Sequence, residues 1–178
     1  KTLGLLKKKK NRRLIRYKSL SLNTQIEIRT VTGGILVQDK DSVLINENIV
    51  KCVTKRKPND AELRDLKFAM KVAKHTKSNS VVYAKNLQTY GIGGGQPSRV
   101  DSSKIAIEKA VRFGFDLSGS ALASDAFFPF ADGVIEAAKA GAKSIIQPGG
   151  SIRDEEIIRA ANEFGLAMLF TGIRHFKH

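Results

Sequence analysis

Cysteine is nearly absent from this sequence, since Cys52 is the one thiol among 178 residues. A single thiol excludes an internal disulfide and a cysteine-rich zinc site, and it fits a reducing compartment. Long apolar runs are also lacking, because no stretch approaches the roughly 18 consecutive apolar residues of a membrane-spanning helix. We therefore expect a cytoplasmic protein that has no membrane partner.

Acidic residues are scarce relative to basic ones, with 17 Asp and Glu against 31 Lys and Arg, a net charge of +14. Residues 1–60 hold 15 basic and 5 acidic residues, a balance of +10, and the remainder holds 16 and 12, a balance of +4. Such a protein usually binds an anion. Nucleic acid and a phosphorylated or polycarboxylate metabolite are both candidates, although the sequence has no recognisable nucleic-acid-binding motif.

The glycine-rich string Gly91–Arg99 lacks the standard nucleotide-binding signatures. No Gly-Lys-Ser/Thr follows it, so it is not a Walker loop, and Gln96 stands where Gly-x-Gly-x-x-Gly needs its third glycine. Two interpretations remain. The glycines either permit a tight turn, or they let the backbone approach a ligand, with Arg99 making paired hydrogen bonds to an oxyanion.

The pattern of apolar residues predicts an α/β protein with a mixed sheet. Residues 26–38 alternate around Gly33-Gly34 as two short strands, and Ile45–Val53 is a looser strand candidate. Asn59 and Glu62 form a capping box that predicts a helix start. From there we predict helices after Asn59 and over Val100–Phe113, Asp132–Ala140 and Arg153–Phe164, and strands over Ser80–Ala84, Thr89–Ile92, Ser120–Ala123, Lys143–Ile146 and Ala167–Phe170.

The resulting order over residues 59–170 is α-β-β-α-β-α-β-α-β. A hairpin followed by β-α-β units predicts a mixed sheet with helices on its faces. We expect residues 1–58 to form a basic linker and β segment, and residues 59–178 to form the α/β subdomain.

Three strings in the last third point to a binding site: Ser124–Phe130, Gln147–Arg153 and Arg174–His178. Three phenylalanines around a proline suit a wall on which a flat ligand can lie. Pro-Gly-Gly-Ser ahead of Ile-Arg-Asp-Glu-Glu predicts bare backbone N–H groups at a helix start, where anionic or carbonyl oxygens bind.

Together with Lys77–Lys85 and Gly91–Asp101, these strings resemble the C-terminal part of the bifunctional purine-biosynthesis family. That family carries aminoimidazole carboxamide ribonucleotide (AICAR) transformylase and IMP cyclohydrolase. The resemblance runs from about Lys8 to His178. It implies the second half of the transformylase domain, with the cyclohydrolase domain and the first transformylase half lying upstream.

The implied fold is a cytidine-deaminase-like three-layer fold without zinc, preceded by a short β-containing N-terminal arm. Deaminases of that fold need a zinc ion held by Cys and His. No Pro-Cys-x-x-Cys is present in this sequence, so the resemblance in fold does not imply deamination.

The family's functional residues carry over to specific positions of this sequence. The resemblance implies AICAR binding by Asn79, Arg99, Phe127 and Arg174, and folate binding by Val100, Asp132, Ser151 and Ile152. An amide suits a carboxamide ligand because it both donates and accepts, and a carboxylate accepts from the amino group and ring N–H of a pterin. A structural monovalent cation, potassium in some members, is implied near Val72, Thr76, Ser78, Ser80 and Asp125.

The resemblance implies no catalytic residue in this chain. The family's catalytic Lys-His pair belongs to a different string upstream, and we interpret Lys74-His75 as helix-end residues whose charge suits the helix dipole. The implied reaction is formyl transfer from the co-substrate 10-formyltetrahydrofolate to AICAR in a homodimeric enzyme. A basic nucleic-acid-binding module and a non-catalytic structural half-domain are the alternatives.

Overall fold

A computed structural model describes residues 2–16 and 25–177. Residues 17–24 of the predicted linker, and His178 where the resemblance ends, lie outside the described residues. The chain forms two compact units, Lys1–Lys40 and Asp41–His178. The division into residues 1–58 and 59–178 stays a prediction.

The described residues of the first unit form one short helix and one hairpin. Helix α1 spans Thr2–Lys7, and strands β1 (Ile26–Val31) and β2 (Gly34–Asp39) pair antiparallel. Gly33 has a φ of 81°, a backbone conformation that glycine adopts without steric cost. The two predicted strands are therefore confirmed, whereas α1 was not predicted.

The second unit confirms the predicted alternation of helices and strands. Its elements are β3 (Lys51–Cys52), α2 (Asp60–His75), β4 (Val81–Lys85), β5 (Gln88–Gly93), α3 (Arg99–Arg112), β6 (Ala121–Ser124), α4 (Asp132–Lys139), β7 (Ser144–Gln147), α5 (Asp154–Glu163) and β8 (Ala167–Phe170). The strand order is β3-β8-β7-β6-β4-β5. Strands β6, β7 and β8 run parallel, while β4 is antiparallel to both of its neighbours, so the sheet is mixed.

The strand predicted over Ile45–Val53 is wrong for most of its length. Only Lys51–Cys52 is extended, and it pairs antiparallel with β8. The side chain of Asn46 accepts a hydrogen bond from the backbone N–H of Asn48 at 3.1 Å, and its carbonyl accepts from Ile49 at 3.0 Å. Asparagine competes for nearby backbone groups in this way, so residues 46–49 form a turn.

The sheet lies between two helical layers, as expected for a three-layer α/β fold. Helix α2 packs on one face, where Val82 and Ala84 point, and α3, α4 and α5 cover the other face, where Val81 and Tyr83 point. Successive strand residues face opposite sides of a sheet. The sequence of a strand that is buried on both faces is therefore a continuous apolar run. Among the described residues, no helix is long and apolar enough to cross a membrane.

The predicted capping box at the start of α2 is confirmed, and it forms part of a larger network. Glu62 N–H donates to the Asn59 side chain at 2.9 Å, and the Glu62 carboxylate accepts from Asn59 N–H at 2.9 Å. The same carboxylate accepts from both terminal nitrogens of Arg56. Arg56 also donates to the carbonyls of Lys143 and Gly165. It therefore ties the start of α2 to the segments that lead into β7 and β8.

Acid should weaken this network. The hydrogen bond from Arg56 lowers the pKa of Glu62, against the smaller opposing effect of burial. Folding therefore favours the carboxylate, and its contribution is fully present at neutral pH and is lost as the pH falls below about 5 and through the lowered pKa. We expect Glu62→Gln, which keeps the capping box, to reduce the free energy of unfolding by about 1 kcal/mol at pH 7. Urea denaturation from pH 7 to pH 3 measures this, and a deficit that does not shrink in acid would contradict it.

The turn between β4 and β5 uses two residues with positive φ that are not glycine. Asn86 and Leu87 have φ values of 53° and 58°. The buried carboxylate of Asp65 accepts from both of their N–H groups, at 2.9 and 2.8 Å. Asp65 therefore holds a left-handed turn of the kind that hairpins favour, and the hairpin-like link predicted here is confirmed.

Leu87→Gly should stabilise the protein. A left-handed conformation costs a non-glycine residue about 1–2 kcal/mol, and the Leu87 side chain is 54% exposed. The greater freedom of glycine in the unfolded chain offsets part of this gain. We expect the free energy of unfolding to rise by about 0.5–1 kcal/mol. Thermal denaturation measures the change, and a lower midpoint would show that Leu87 makes contacts that outweigh the strain.

Candidate functional site

The residues singled out by the sequence gather at one edge of the sheet. The parallel strands β6, β7 and β8 end there, at Ser124, Gln147 and Phe170. The loops that follow them carry the phenylalanine string, the Pro-Gly-Gly-Ser string and the C-terminal tail. Ligands of α/β sheets bind outside the carboxyl ends of parallel strands, so the topology places the three strings where a site is expected.

A buried ion pair joins Arg99, the first residue of α3, to Asp125, which follows β6. Arg99 Nη2 lies 3.4 Å from Asp125 Oδ1, and the two side chains are 13% and 0% exposed. Within the described residues, Arg99 Nε and Asp125 Oδ2 are buried without a hydrogen-bond partner. Burial lowers the pKa of Arg99, the charge of Asp125 opposes this, and Arg174 adds a smaller lowering. The guanidinium stays charged, because an arginine side chain is not deprotonated in proteins.

Arg174 and Phe127 form the exposed side of the same site. The guanidinium carbon of Arg174 lies 4.9 Å from the centre of the Phe127 ring. Phe127 is half-buried and Arg174 is exposed. A guanidinium over an aromatic face is held there by the ring quadrupole, so a cation and a flat apolar surface stand together beside Arg99.

The predicted aromatic wall is smaller than the sequence suggested. Phe128 is fully buried in the core, and its backbone N–H donates to the buried side chain of Gln147 at 2.8 Å. Phe130 is 48% exposed, and the guanidinium carbon of Arg153 lies 4.7 Å from the centre of its ring. Phe127 and Phe130 are thus the two rings of this string that reach the surface, each beneath an arginine.

Asn79 anchors the glycine-rich loop. Its side-chain nitrogen donates to the carbonyls of Gln96 and Pro97, at 2.8 and 2.9 Å. The backbone carbonyl of Asn79 accepts a hydrogen bond from Ser102 Oγ at 2.7 Å. Both amide hydrogens are therefore used within the protein, and Oδ1 is the side-chain atom that remains for a ligand.

Packing explains two of the glycines in the Gly91–Arg99 string. A Cβ at Gly91 would lie 2.1 Å from the carbonyl oxygen of Ala106, and one at Gly93 would lie 1.8 Å from that of Ser102. These glycines therefore allow α3 to pack closely against β5. Neither predicted role, a tight turn or close approach to a ligand, accounts for these two glycines, because both lie within strand β5.

The bare N–H groups predicted before α5 are not bare, so this prediction is wrong. Gly150 and Ser151 donate their N–H groups to the two carboxylate oxygens of Asp154, at 2.7 and 3.1 Å. An acidic residue in the first helical turn competes with any external anion for such donors. The sequence Ser-Ile-Arg-Asp already contained this acceptor.

The four residues implied for folate binding lie on three different elements. Val100 is half-buried in the first turn of α3, and Asp132 is the exposed first residue of α4. Ser151 is half-buried and Ile152 is fully exposed in the loop before α5. The Arg153–Phe130 contact joins that loop to the phenylalanine string ahead of α4. No hydrogen bond or ion pair within the described residues joins Val100 to the other three.

A family model described as "AICARFT/IMPCHase bienzyme" matches residues 1–109. The chain belongs to this family. Its relatives include the "Bifunctional purine biosynthesis protein PurH" of Chlorobium phaeobacteroides (strain BS1), 57% identical over 99% of this chain and 34% of that protein. The protein of the same name from Persephonella marina is 59% identical over 98% of this chain and 34% of that protein. The chain therefore spans about a third of the length of the curated relatives it matches.

Two solved structures illustrate a distant likeness in fold. A dCMP deaminase from the cyanophage S-TIM5 is 16% identical, with 63% of this chain and 98% of that chain covered and a TM-score of 0.44. "Acinetobacter baumannii RibD, form 2" is 12% identical, with 62% and 34% covered and a TM-score of 0.41. Likeness at this level supports no conclusion about activity.

Among the residues that the AICARFT/IMPCHase resemblance implies for a monovalent cation, Asp125 is fully buried and bonds to Ser80. Thr76 Oγ1 donates to the carbonyl of Val72 at 2.8 Å, and Ser78 Oγ accepts from Lys177 N–H at 2.8 Å. Ser80 lies beside Asp125, whose N–H donates to the Ser80 carbonyl at 3.3 Å. Hydroxyl, carbonyl and carboxylate oxygens are the donors that hard cations take, and the unpaired Asp125 Oδ2 fits such an ion.

Sequence reasoning missed three residues of this family member's site. Gln147 fixes the phenylalanine string through Phe128, Arg153 covers Phe130, and His175 is buried beside Arg174. Each belongs to a string that the sequence singled out. What the sequence did not show was the direction of each side chain, since that depends on contacts with residues far away in the chain.

Proposed function

We propose that this chain holds the nucleotide and part of the folate in an AICAR formyltransferase of de novo purine biosynthesis. The observation that carries the proposal is the convergence of Arg99, Arg174 and Phe127 at one edge of the sheet, in a chain of this family. The parent enzyme would move a formyl group from 10-formyltetrahydrofolate to AICAR. Its catalytic Lys-His pair would lie upstream of Lys1.

The nucleotide side of the site matches a phosphorylated aminoimidazole carboxamide. Arginines bind phosphate oxygens through short charge-assisted hydrogen bonds. Arg174 is exposed, and the Arg99 side chain beside it is 13% exposed. The Phe127 ring supplies a flat surface for the imidazole. The Asn79 Oδ1 atom is placed to accept from the amide of the ligand, because both Asn79 amide hydrogens are already bound.

The folate side of the site rests on fewer contacts. Asp132 Oδ1 accepts from Gly133 N–H at 2.7 Å, which holds an exposed carboxylate at the start of α4. A carboxylate accepts from the amino group and ring N–H of a pterin. We propose that Ser151, Ile152 and Val100 also contact the folate co-substrate.

The proposed chemistry is acyl transfer between two bound molecules. The 5-amino nitrogen of AICAR attacks the formyl carbon, the bond from that carbon to folate N10 breaks, and N10 takes up a proton as the amine loses one. The amine is a weak nucleophile because its lone pair is delocalised into the ring and carboxamide. The reaction therefore depends on a positioned base, on precise approach and on stabilisation of the oxyanion. The residues of this chain bind and orient the two substrates.

The folate acts as a co-substrate, and the reaction needs no redox cofactor. We assign a structural monovalent cation to Val72, Thr76, Ser78, Ser80 and Asp125, and the family resemblance suggests that it is potassium. Bound there, the ion would neutralise Asp125 Oδ2 and hold the start of β4 against the tail. The parent enzyme is proposed to act as a cytoplasmic homodimer.

Calorimetric titration of the chain with AICAR tests the proposal. We expect saturable 1:1 binding that AICAR analogues without the phosphate do not match. A nucleic-acid-binding module would instead prefer oligonucleotides, with an affinity that falls steeply as salt rises. Tight, salt-sensitive oligonucleotide binding with no response to AICAR would overturn the proposal.

A further inference from the structure

The C-terminal tail carries two neighbouring residues with opposite environments. His175 is 1% exposed, whereas Arg174 before it is exposed and Phe176 after it is 47% exposed. Side chains alternate in direction along extended backbone. The inward direction of His175 therefore fixes the outward direction of Arg174.

Two hydrogen bonds hold the His175 ring. Its Nδ1 lies 2.7 Å from Asp41 Oδ2, and its Nε2 donates to the carbonyl of Leu44 at 3.0 Å. The other oxygen of Asp41 accepts from Lys74 Nζ at 3.0 Å, and Lys74 also donates to the carbonyl of Val43 at 3.2 Å. The ring is thus fixed to a segment that is itself bonded to the end of α2.

The tail has further bonds on either side of this ring. His175 N–H donates to the carbonyl of Asp125 at 2.9 Å, and Lys177 exchanges two hydrogen bonds with Ser78. These bonds fix the backbone of the tail next to the ion pair of Arg99. The His175 ring bonds to Asp41 and Leu44, so it adds a side-chain restraint on the rotation of the tail to the restraints made by the backbone.

We propose that His175, held by Asp41, is a positioning residue that keeps the Arg174 guanidinium over Phe127 and thereby sets the affinity for the phosphorylated ligand. This inference rests on the proposed function, in which Arg174 binds the nucleotide. His175 itself touches no ligand. A residue with a purely structural role would change stability without changing the direction of Arg174.

The first test observes Arg174 directly and needs no ligand. The guanidinium carbon of Arg174 lies 4.9 Å from the centre of the Phe127 ring, so we expect the NMR resonance of the neighbouring δ-protons to carry a ring-current shift. We expect His175→Leu, and to a smaller extent Asp41→Asn, to move this resonance to the value of an exposed arginine. His75→Leu is the matched control, because His75 is the exposed last residue of α2. An unchanged Arg174 resonance in folded His175→Leu and Asp41→Asn would overturn the proposal.

The second test measures coupling in AICAR titrations. We expect His175→Leu to weaken binding about tenfold in the wild-type chain and to have almost no effect in an Arg174→Ala chain, because coupled residues are not additive. Equal losses in both backgrounds would overturn the proposal. Failure of the wild-type chain to bind AICAR would instead remove the proposed function, while the NMR result would still decide whether His175 orients Arg174.

Discussion

Arg99→Met is expected to reduce the free energy of unfolding by about 3 kcal/mol, a large effect for one substitution. The reason is the environment of its partner, since the Asp125 side chain is 0% exposed. Methionine keeps most of the apolar stem and removes the charge. In a buffer without the monovalent cation proposed for Asp125, this leaves a buried carboxylate without a counter-charge. An unpaired buried charge costs far more than the pair contributes. Urea denaturation at pH 7 measures the loss.

A double variant separates the effect of losing the arginine charge from the effect of losing the arginine stem. Arg99→Met with Asp125→Leu removes the whole pair, and replacement of a buried pair by apolar residues is often close to neutral. We therefore expect the double variant to recover most of the stability lost in Arg99→Met. AICAR binding should be lost in both variants, because Arg99 is proposed to bind the nucleotide. A double variant as unstable as the single one would show that the arginine stem, and not the charge, is what the fold needs.

Arg174→Ala is expected to weaken AICAR binding by about 30- to 100-fold, the equivalent of one lost charge-assisted contact of roughly 2–3 kcal/mol. Stability should change little, because Arg174 is exposed and its one described side-chain contact is the Phe127 ring. Arg174→Ala should thus lose affinity with little loss of stability, whereas Arg99→Met should lose both. Calorimetric titration and thermal denaturation of the same sample measure both.

Arg112→Ala provides the matched control for that variant. Arg112 is also exposed and also lies over a phenylalanine, with its guanidinium 5.2 Å from the Phe113 ring. It stands at the far end of α3 from Arg99. We expect Arg112→Ala to bind AICAR as the wild-type chain does. Equal weakening by both substitutions would mean that general charge, and not the site, attracts the nucleotide.

Much of the fold followed from local patterns in the sequence. The capping box of Asn59 and Glu62 marked the start of α2, and the apolar runs marked the strands of the central sheet. These features depend on residues that are close in sequence, so one amino-acid sequence is enough to predict them. The error over Ile45–Val53 has the same origin, because Asn46 turns a segment whose apolar residues alone suggested a strand.

The site was less accessible to sequence reasoning because its geometry depends on distant contacts. The sequence identified the three strings but predicted free N–H groups before α5. In the structure, Asp154 accepts hydrogen bonds from these N–H groups. The family resemblance implied Asp125 only as a cation ligand, whereas it also pairs with Arg99 across 26 positions of sequence. His175 contacts Asp41 across 134 positions. No local pattern in the sequence contains a pairing of that kind.

Formyl transfer by a reconstituted enzyme tests the central claim most directly. The matching third of the Chlorobium phaeobacteroides relative would be replaced by this chain, and transfer from 10-formyltetrahydrofolate to AICAR would be measured for the hybrid and for the chain alone. The account predicts that the hybrid is active, that Arg174→Ala within it loses most of that activity, and that the chain alone is silent. Activity of the chain alone, or a folded hybrid that is indifferent to Arg174→Ala, would contradict the account.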